Sequence, residues 1–160
     1  MSTPQEGSLH RPLPGIHTHL WFEDVSEGDE LPSLEVHPTT QQLVMYAGAS
    51  GDFVPIHYDM DVAQAAGHDS VIIHGALKSA WLAQVVTDWL GDSGWMRDFA
   101  VQYRGIDYPN EKKTCRGRVK SKRVEGEAGL VEIELSLEDA SGTVTTPATA
   151  LVELPRRQSR

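Results

Sequence analysis

The C-terminal half of the chain alternates between apolar and polar positions. Between residues 130 and 137 the side chains at odd positions are apolar and those at even positions are polar, apart from the first: Val131, Ile133, Leu135 and Leu137 against Glu132, Glu134 and Ser136. A period of two predicts a β-strand with one buried face. Further strands are predicted at 99–106, 114–123 and 143–154. Turn-forming residues at 125–129 and 139–142 predict hairpins between the last three strands.

The N-terminal half has a different pattern, which predicts helices. A short strand is expected at 31–36. Thr39 and Gln42 are typical of a helix start, and this helix should end near Gly51. A short helix is predicted at 62–66 and the longest at 75–90. Apolar residues cover most of the circumference of the longest helix, so we expect it to be buried.

One long apolar helix followed by antiparallel strands predicts an α+β fold in which the sheet curls around the helix. The 160 residues fit one domain. We assign the domain to residues 20–154. Residues 1–19, rich in Pro, Gly, Ser and His, are expected to form a loosely docked or disordered tail, and residues 155–160 a second tail.

Charge and composition narrow the function. The formal net charge of −9 argues against a nucleic-acid partner. A basic run at 112–123 is expected to be the solvated face of a strand pair, with an anion-binding site as the alternative. The single cysteine, Cys115, fits a reducing cytoplasm and is not expected to be catalytic. We expect no signal peptide, no membrane span and no metal site; His17 and His19 have no third ligand at a suitable spacing.

The chemistry is expected in the segment from Gly51 to Asp59. Gly51 allows a tight turn after the helix, and Pro55 restricts the backbone on both sides of its own peptide bond. The resulting stiff bend can bring Asp52 and His57 to one side. A carboxylate beside an imidazole can hold one water molecule, accept its proton and orient it.

A second segment, Ile73-His74-Gly75, stands at the start of the longest helix. The first backbone N–H groups of a helix have no internal acceptor and carry partial positive charge. Gly75 has no side chain, so a thioester carbonyl can approach its N–H. This predicts an oxyanion site made by the backbone.

Together these residues resemble the motif of the MaoC-like, R-specific hydratase family: Gly51-Asp52-x-x-Pro55-x-His57-x-Asp59, then Ile73-His74-Gly75. The resemblance covers roughly residues 20–154 and includes Tyr103-Arg104-Gly105-Ile106-Asp107-Tyr108-Pro109. It implies a hot-dog fold, a homodimer or a heterodimer with another hot-dog chain, and syn hydration of a trans-2-enoyl-CoA to an R-3-hydroxyacyl-CoA. It also implies that Asp52 and His57 hold the water and that the Gly75 amide polarises the carbonyl. The CoA thioester is the substrate, and no metal or redox cofactor is expected.

Val54 stands where the family usually has Asn. The remaining residues that we expect to line the substrate site are Ser50, Val54, His74, Ser79 and Trp95, and His74 is also expected to fix the helix start.

Alternatives for the function remain open. The chain is expected to be an enzyme by itself, one subunit of a heteromeric hydratase, a non-catalytic acyl-CoA-binding partner or, less favoured by the motif, a hot-dog acyl-CoA thioesterase.

Overall fold

The computed structural model describes residues 20–157. The predicted tail at 1–19, including His17 and His19, and residues 158–160 lie outside this range. Three α-helices precede most of the sheet, and two 3₁₀ turns span Phe22–Asp24 and Pro55–His57. The helices are α1 (Thr40–Ser50), α2 (Met60–Ala65) and α3 (Gly75–Leu90). The strands are β1 (Glu30–Val36), β2 (Trp95–Val101), β3 (Lys113–Glu125), β4 (Ala128–Glu138) and β5 (Val144–Leu154).

The five strands form one sheet in the order β1-β3-β4-β5-β2, and all neighbouring pairs are antiparallel. Strands β3, β4 and β5 follow one another through the predicted hairpins. The chain reaches β2 directly after α3, and β2 pairs with β5 at the edge. The sheet and the helix that it wraps form the predicted hot-dog fold.

Strand β2 corrects one prediction. Its ladder with β5 begins at Trp95 and ends at Val101, four residues before the predicted start and five before the predicted end of 99–106. After Val101 the backbone still donates hydrogen bonds to β5, from Gln102 to Pro147 at 3.0 Å and from Arg104 to Thr145 at 3.0 Å. This later segment runs beside β5 and bonds to it without forming a regular strand. Its contact with β5 explains why its sequence resembles that of a strand.

The core lies between α3 and the inner face of the sheet. In β4 the alternation predicts burial correctly, because Val131, Ile133, Leu135 and Leu137 are buried. From α3, Leu82 and Val86 are completely buried, and each such side chain contributes roughly 1.5–3 kcal/mol. Unlike the prediction, α3 is not buried all round, because Ala76 and Ala80 are exposed. Its buried face instead includes a charged residue, Lys78.

Candidate active site

The loop that follows α1 places Asp52. Gly51 ends α1 with a left-handed backbone, at φ 76°, and its N–H donates to the carbonyl of Ala47 at 3.0 Å. The Asp52 N–H donates to Oγ of Ser50 at 3.3 Å. Asp52 Oδ1 accepts from the N–H of Val54 at 3.4 Å, which leaves Oδ2 free to face His57. The predicted tight turn at Gly51 is therefore present, and it orients the Asp52 carboxylate.

The turn at Pro55 brings His57 back towards Asp52. Pro55 begins a 3₁₀ turn that ends at His57, and the N–H of His57 donates to the carbonyl of Val54 at 3.2 Å. His57 Nδ1 lies 2.8 Å from the carbonyl oxygen of Ile72. Because a carbonyl can only accept, Nδ1 carries the proton in the neutral ring. Nε2 is then the acceptor, and it faces Asp52.

The distance between the Asp52 carboxylate and the His57 imidazole determines what the two groups can do chemically. Nε2 of His57 lies 3.9 Å from Oδ2 of Asp52, too far for a direct hydrogen bond. Two acceptors at this spacing can each accept a proton from one water molecule placed about 2.8 Å from both. That water keeps its lone pairs for attack. Asp52 has a side chain that is 39% exposed and His57 one that is 11% exposed, so solvent reaches the pair from the carboxylate side.

His74 lies behind this pair. Its ring stacks on that of His57 with centroids 3.8 Å apart, and Tyr46 meets it edge-on at 5.0 Å. The side chain is completely buried, and neither ring nitrogen has a hydrogen-bond partner among residues 20–157. Burial lowers the pKa of His74, aided by the neighbouring His57 and opposed by Asp52. His74 supports the His57 ring. Its side chain does not reach the surface formed by residues 20–157, and its expected place in the substrate site stays a prediction.

Asp52, His57 and His74 each offer one ligand atom within 4.8 Å of the others. A shared metal ion would need lone pairs that converge. The two imidazole planes are stacked at 21°, so their in-plane lone pairs run side by side. The geometry thus favours a water held by Asp52 and His57, with His74 as a support.

Gly75 begins α3 beside this cluster. Being the first residue of the helix, it has an N–H without an intrahelical acceptor. The stacked His74 is bonded directly to Gly75, so the Asp52–His57 pair and this amide belong to one compact region. The aromatic ring of Tyr103 lies over Gly75, and a Cβ at position 75 would come within 3.1 Å of it. A side chain at position 75 would therefore require the Tyr103 ring to shift by a few tenths of an ångström.

The other predicted site residues have different positions. Ser50 is the last residue of α1, and its Oγ also donates to the carbonyl of Tyr46 at 2.7 Å, whereas Val54 lies on the Asp52 loop. Ser79 lies one turn into α3 and contacts the Tyr103 hydroxyl at 2.5 Å. Trp95 begins β2, past the far end of α3, and is 70% exposed. The 16 residues of α3 span about 24 Å, so within this chain Trp95 is far from Gly75.

Most of the basic run is exposed and forms ion pairs along the sheet, as the solvated-face interpretation expects, but Lys113 is buried, which contradicts that interpretation at this residue. Arg116 pairs with Glu138 at 3.1 Å, and Lys120 pairs with Glu132 at 2.9 Å. A groove of about 620 Å³ crosses the outer side of the sheet, from Glu30 on β1 to Ala100 on β2. Its lining is of mixed charge and does not include Asp52, His57 or Gly75.

Cys115 lies in β3 and is completely buried. Burial raises the pKa of its thiol to about 12, and the Asp107 and Glu138 carboxylates add to this. Such a thiol is almost entirely protonated near neutral pH and is a poor nucleophile. The prediction that Cys115 is not catalytic agrees with this position.

A family model described as MaoC like domain matches residues 24–140. The chain belongs to the MaoC-like family. A curated relative, the 3-oxo-4,17-pregnadiene-20-carboxyl-CoA hydratase beta subunit of Mycobacterium tuberculosis, is 26% identical over 132 residues, covering 82% of this chain and 97% of the relative. The fatty acid synthase subunit beta of Gibberella zeae is 43% identical over 60 residues, and the match spans 38% of this chain but 3% of that protein.

Solved structures of MaoC-like proteins share the fold. The (R)-hydratase from A. caviae involved in PHA biosynthesis superposes with a TM-score of 0.76 at 18% identity, covering 83% of this chain and 99% of that chain. A chain of the ChsH1-ChsH2 complex from Mycobacterium tuberculosis gives a TM-score of 0.72 at 23% identity, with 81% and 98% covered. At these identities the likeness establishes the hot-dog fold. No helix within residues 20–157 is long and apolar enough to cross a membrane.

Sequence reasoning missed two residues of this region, Lys78 and Asp107, which are both buried and paired with each other at 2.9 Å. A lysine within the apolar stripe of a helix was the available signal. Its partner could not be identified from spacing, because the two residues are 29 positions apart.

Proposed function

We propose that this MaoC-like chain is a hydratase that adds water across the C2=C3 double bond of a 2-enoyl-CoA thioester. The observation that carries the proposal is the pair of acceptors, Asp52 Oδ2 and His57 Nε2, 3.9 Å apart beside the start of α3. Membership of the MaoC-like family supports it, as do two relatives whose names describe hydratases.

In the proposed reaction, the water held by Asp52 and His57 attacks C3 through its oxygen. The π electrons of the double bond move towards the thioester, and the carbonyl oxygen becomes an enolate. The Gly75 N–H, at the positive end of α3, stabilises that negative charge. Asp52 takes one proton from the water and His57 keeps it oriented.

The enolate then collapses, the thioester carbonyl re-forms, and C2 takes from Asp52 the proton that Asp52 removed from the water. This restores the Asp52 carboxylate, so the net change is the addition of one water molecule. By family resemblance we place hydroxyl and proton on the same face, giving the R-3-hydroxyacyl-CoA. The reverse sequence dehydrates the product. Asp52, His57 and Gly75 supply all of these steps in the proposal, and CoA enters as part of the substrate.

The test follows the loss of enoyl-thioester absorbance with short, long and bulky 2-enoyl-CoAs. Removing the base or the orienting group, by Asp52→Asn or His57→Ala, is expected to lower kcat about 10²–10⁴-fold. Asp61→Asn and His68→Ala are matched controls, because Asp61 lies on α2 and His68 follows it, outside the site. Release of free CoA thiol by the native protein would instead identify a thioesterase.

A second candidate function is that of a subunit in a heteromeric hydratase. Phe53, Val54 and Tyr58, on the loop that carries Asp52 and His57, are 61%, 53% and 41% exposed. An apolar rim of this kind is typical of a surface that a partner covers. One relative is a hydratase beta subunit, and a similar structure belongs to a two-component complex.

We therefore propose an assembly with a second hot-dog chain, identical or different, in the cytoplasm. Molecular mass in solution distinguishes a monomer from a homodimer. If the folded native chain turns over none of the substrates, the stand-alone hydratase is wrong and the subunit proposal is favoured.

A further inference from the structure

A cluster of buried charges lies beside the site and takes no part in the proposed reaction. Lys78, Asp107 and Lys113 are 3%, 2% and 1% exposed. Lys78 Nζ donates to Asp107 Oδ2 at 2.9 Å, and Thr145 Oγ1 donates to the same oxygen at 2.8 Å. Lys113 Nζ lies 3.6 Å from the other carboxylate oxygen and binds Glu111 at 2.8 Å.

This arrangement is an expensive way to stabilise a fold. Removing a charge from water costs several kcal/mol, and well-packed apolar residues of similar volume often replace a buried ion pair without loss of stability. Lys78 is also in the first turn of α3, where the helix dipole disfavours a cation. Buried ion pairs of this kind can instead select one conformation, which directs attention to what this pair holds.

Lys78 and Asp107 hold the segment 103–107 against the start of α3. Lys78 Nζ donates a second hydrogen bond, to the carbonyl of Gly105, at 3.0 Å. The backbone carbonyl of Asp107 accepts from the N–H of Ile73 at 2.9 Å. The helix start is thus tied to this segment both before and after Gly75.

Tyr103 completes the arrangement at Gly75 itself. Three of its ring carbons lie 3.1–3.3 Å from where a Gly75 Cβ would be. Its hydroxyl contacts Ser79 Oγ at 2.5 Å, and Ser79 Oγ in turn donates to the carbonyl of Gly75 at 3.3 Å. Each contact fixes the first turn of α3, whose amide the proposed reaction uses.

We propose that Lys78 and Asp107 are positioning residues that hold the Tyr103–Asp107 segment against α3 and so fix the orientation of the Gly75 N–H. The catalytic part of this inference rests on the proposed hydratase function. Lys78 and Asp107 do not touch the reacting atoms; they act through the segment and through Tyr103.

The decisive variant replaces both charges, as Lys78→Met with Asp107→Leu. It leaves no charge unpaired, because Lys113 keeps Glu111 and Thr145 Oγ1 keeps the carbonyl of Leu137 at 3.4 Å. We expect an unfolding midpoint within about 5 °C of the native value. We expect kcat to fall about 10–100-fold with KM within about threefold, because the amide acts mainly on the enolate-like transition state.

The matched control replaces an exposed pair on the sheet, as Lys120→Met with Glu132→Leu, and should keep native kcat. The single variant Lys78→Met removes the closest positive charge from the buried Asp107 carboxylate and should lower the unfolding midpoint more than the double variant does. The difference between the two midpoints separates the effect of an unbalanced buried charge from the loss of positioning. A double variant with native kcat overturns the proposal.

A readout independent of activity is amide hydrogen exchange by NMR. The amides of Ile73 and Leu77 flank Gly75 and are hydrogen-bonded, to the carbonyls of Asp107 and His74. In the double variant, exchange at Ile73 and Leu77 should accelerate about tenfold or more, while amides of β4 keep their native rates. Unchanged exchange at Ile73 and Leu77 overturns the positioning role. If exchange accelerates there while the native chain hydrates no enoyl-CoA, the positioning role stands and the hydratase proposal alone fails.

Discussion

His57 Nδ1 donates a 2.8 Å hydrogen bond to the carbonyl oxygen of Ile72, and this contact sets the tautomer of the ring. The N–H of Ile72 in turn donates to the carbonyl of Ile56 at 3.2 Å. The loop that carries Asp52 and the segment that leads into α3 are therefore linked next to the proposed water. This linkage maintains the spacing between Asp52 and His57.

Asp52→Glu keeps the carboxylate but adds one methylene, which changes the 3.9 Å spacing between Asp52 and His57. We expect kcat to fall about 100-fold because the water is displaced from its attacking position. The side chain is 39% exposed, so the unfolding midpoint should hardly change. Steady-state kinetics with Asp61→Glu as the control measures the effect. A native kcat in Asp52→Glu would show that the spacing is unimportant.

Gly75→Ala tests the close contact with Tyr103. The new methyl group would lie 3.1–3.3 Å from the ring, and the exposed ring must move. We expect kcat to fall about tenfold or more while the protein stays folded. Gly48→Ala in α1 is the control, because its Cβ would have no described atom within 4 Å. It should stabilise the protein by about 0.5–1 kcal/mol and keep activity. Equal kcat in the two variants would contradict the role of Gly75.

Val54→Asn restores the residue that the family usually has before the proline. Val54 is the N-cap of the Pro55–His57 turn and has no side-chain acceptor. An Asn oxygen can accept a hydrogen bond from the N–H of Ile56, because Pro55 has no N–H and that of His57 already donates to the carbonyl of residue 54. The expected gain is about 0.5–2 kcal/mol. Chemical denaturation measures this gain, and kcat should be retained. A loss of stability would show that Val54 contributes apolar contacts worth more than the cap.

The lowered pKa of His74 predicts how stability depends on pH. Below about pH 6.5, the ordinary value, the unfolded protein binds a proton at His74 more readily than the folded protein does. The contribution of neutral His74 to the free energy of unfolding is therefore fully present above pH 6.5. It is lost as the pH falls through the lowered pKa that His74 has in the folded protein. The groups facing the ring are His57, Asp52 and Tyr46.

The comparison is with His74→Phe, which keeps an aromatic ring but cannot titrate. Denaturant unfolding from pH 8 to pH 5 should show the native protein losing stability relative to His74→Phe below pH 6.5. Parallel curves across this range would mean that His74 has the same pKa in both states.

Cys115 should be inert in the folded protein. Burial raises the pKa of its thiol to about 12, so a thiol reagent at pH 8 should react only as the protein unfolds. Labelling rates with and without denaturant measure this, and Cys115→Ala should keep native kcat. Rapid labelling of the native protein would contradict the buried position in β3.

Local patterns in the sequence predicted the turn at Gly51, the Pro55 bend and the inward face of β4 correctly, since each depends on neighbouring residues. Resemblance to the MaoC-like motif also assigned Asp52, His57 and Gly75 to one predicted site. The boundaries of β2 were less well determined. Residues after Val101 follow β5 through isolated hydrogen bonds, and their apolar pattern resembles that of a regular strand.

What the sequence by itself determined is therefore local: backbone turns fixed by Gly and Pro, and the periodicity of each buried face. The tertiary structure alone decided which groups meet. Periodicity reports that a side chain is buried but not what it contacts. Hence the stacking of His74 on His57 and the pairing of Lys78 with Asp107 appear only when the sheet closes around α3.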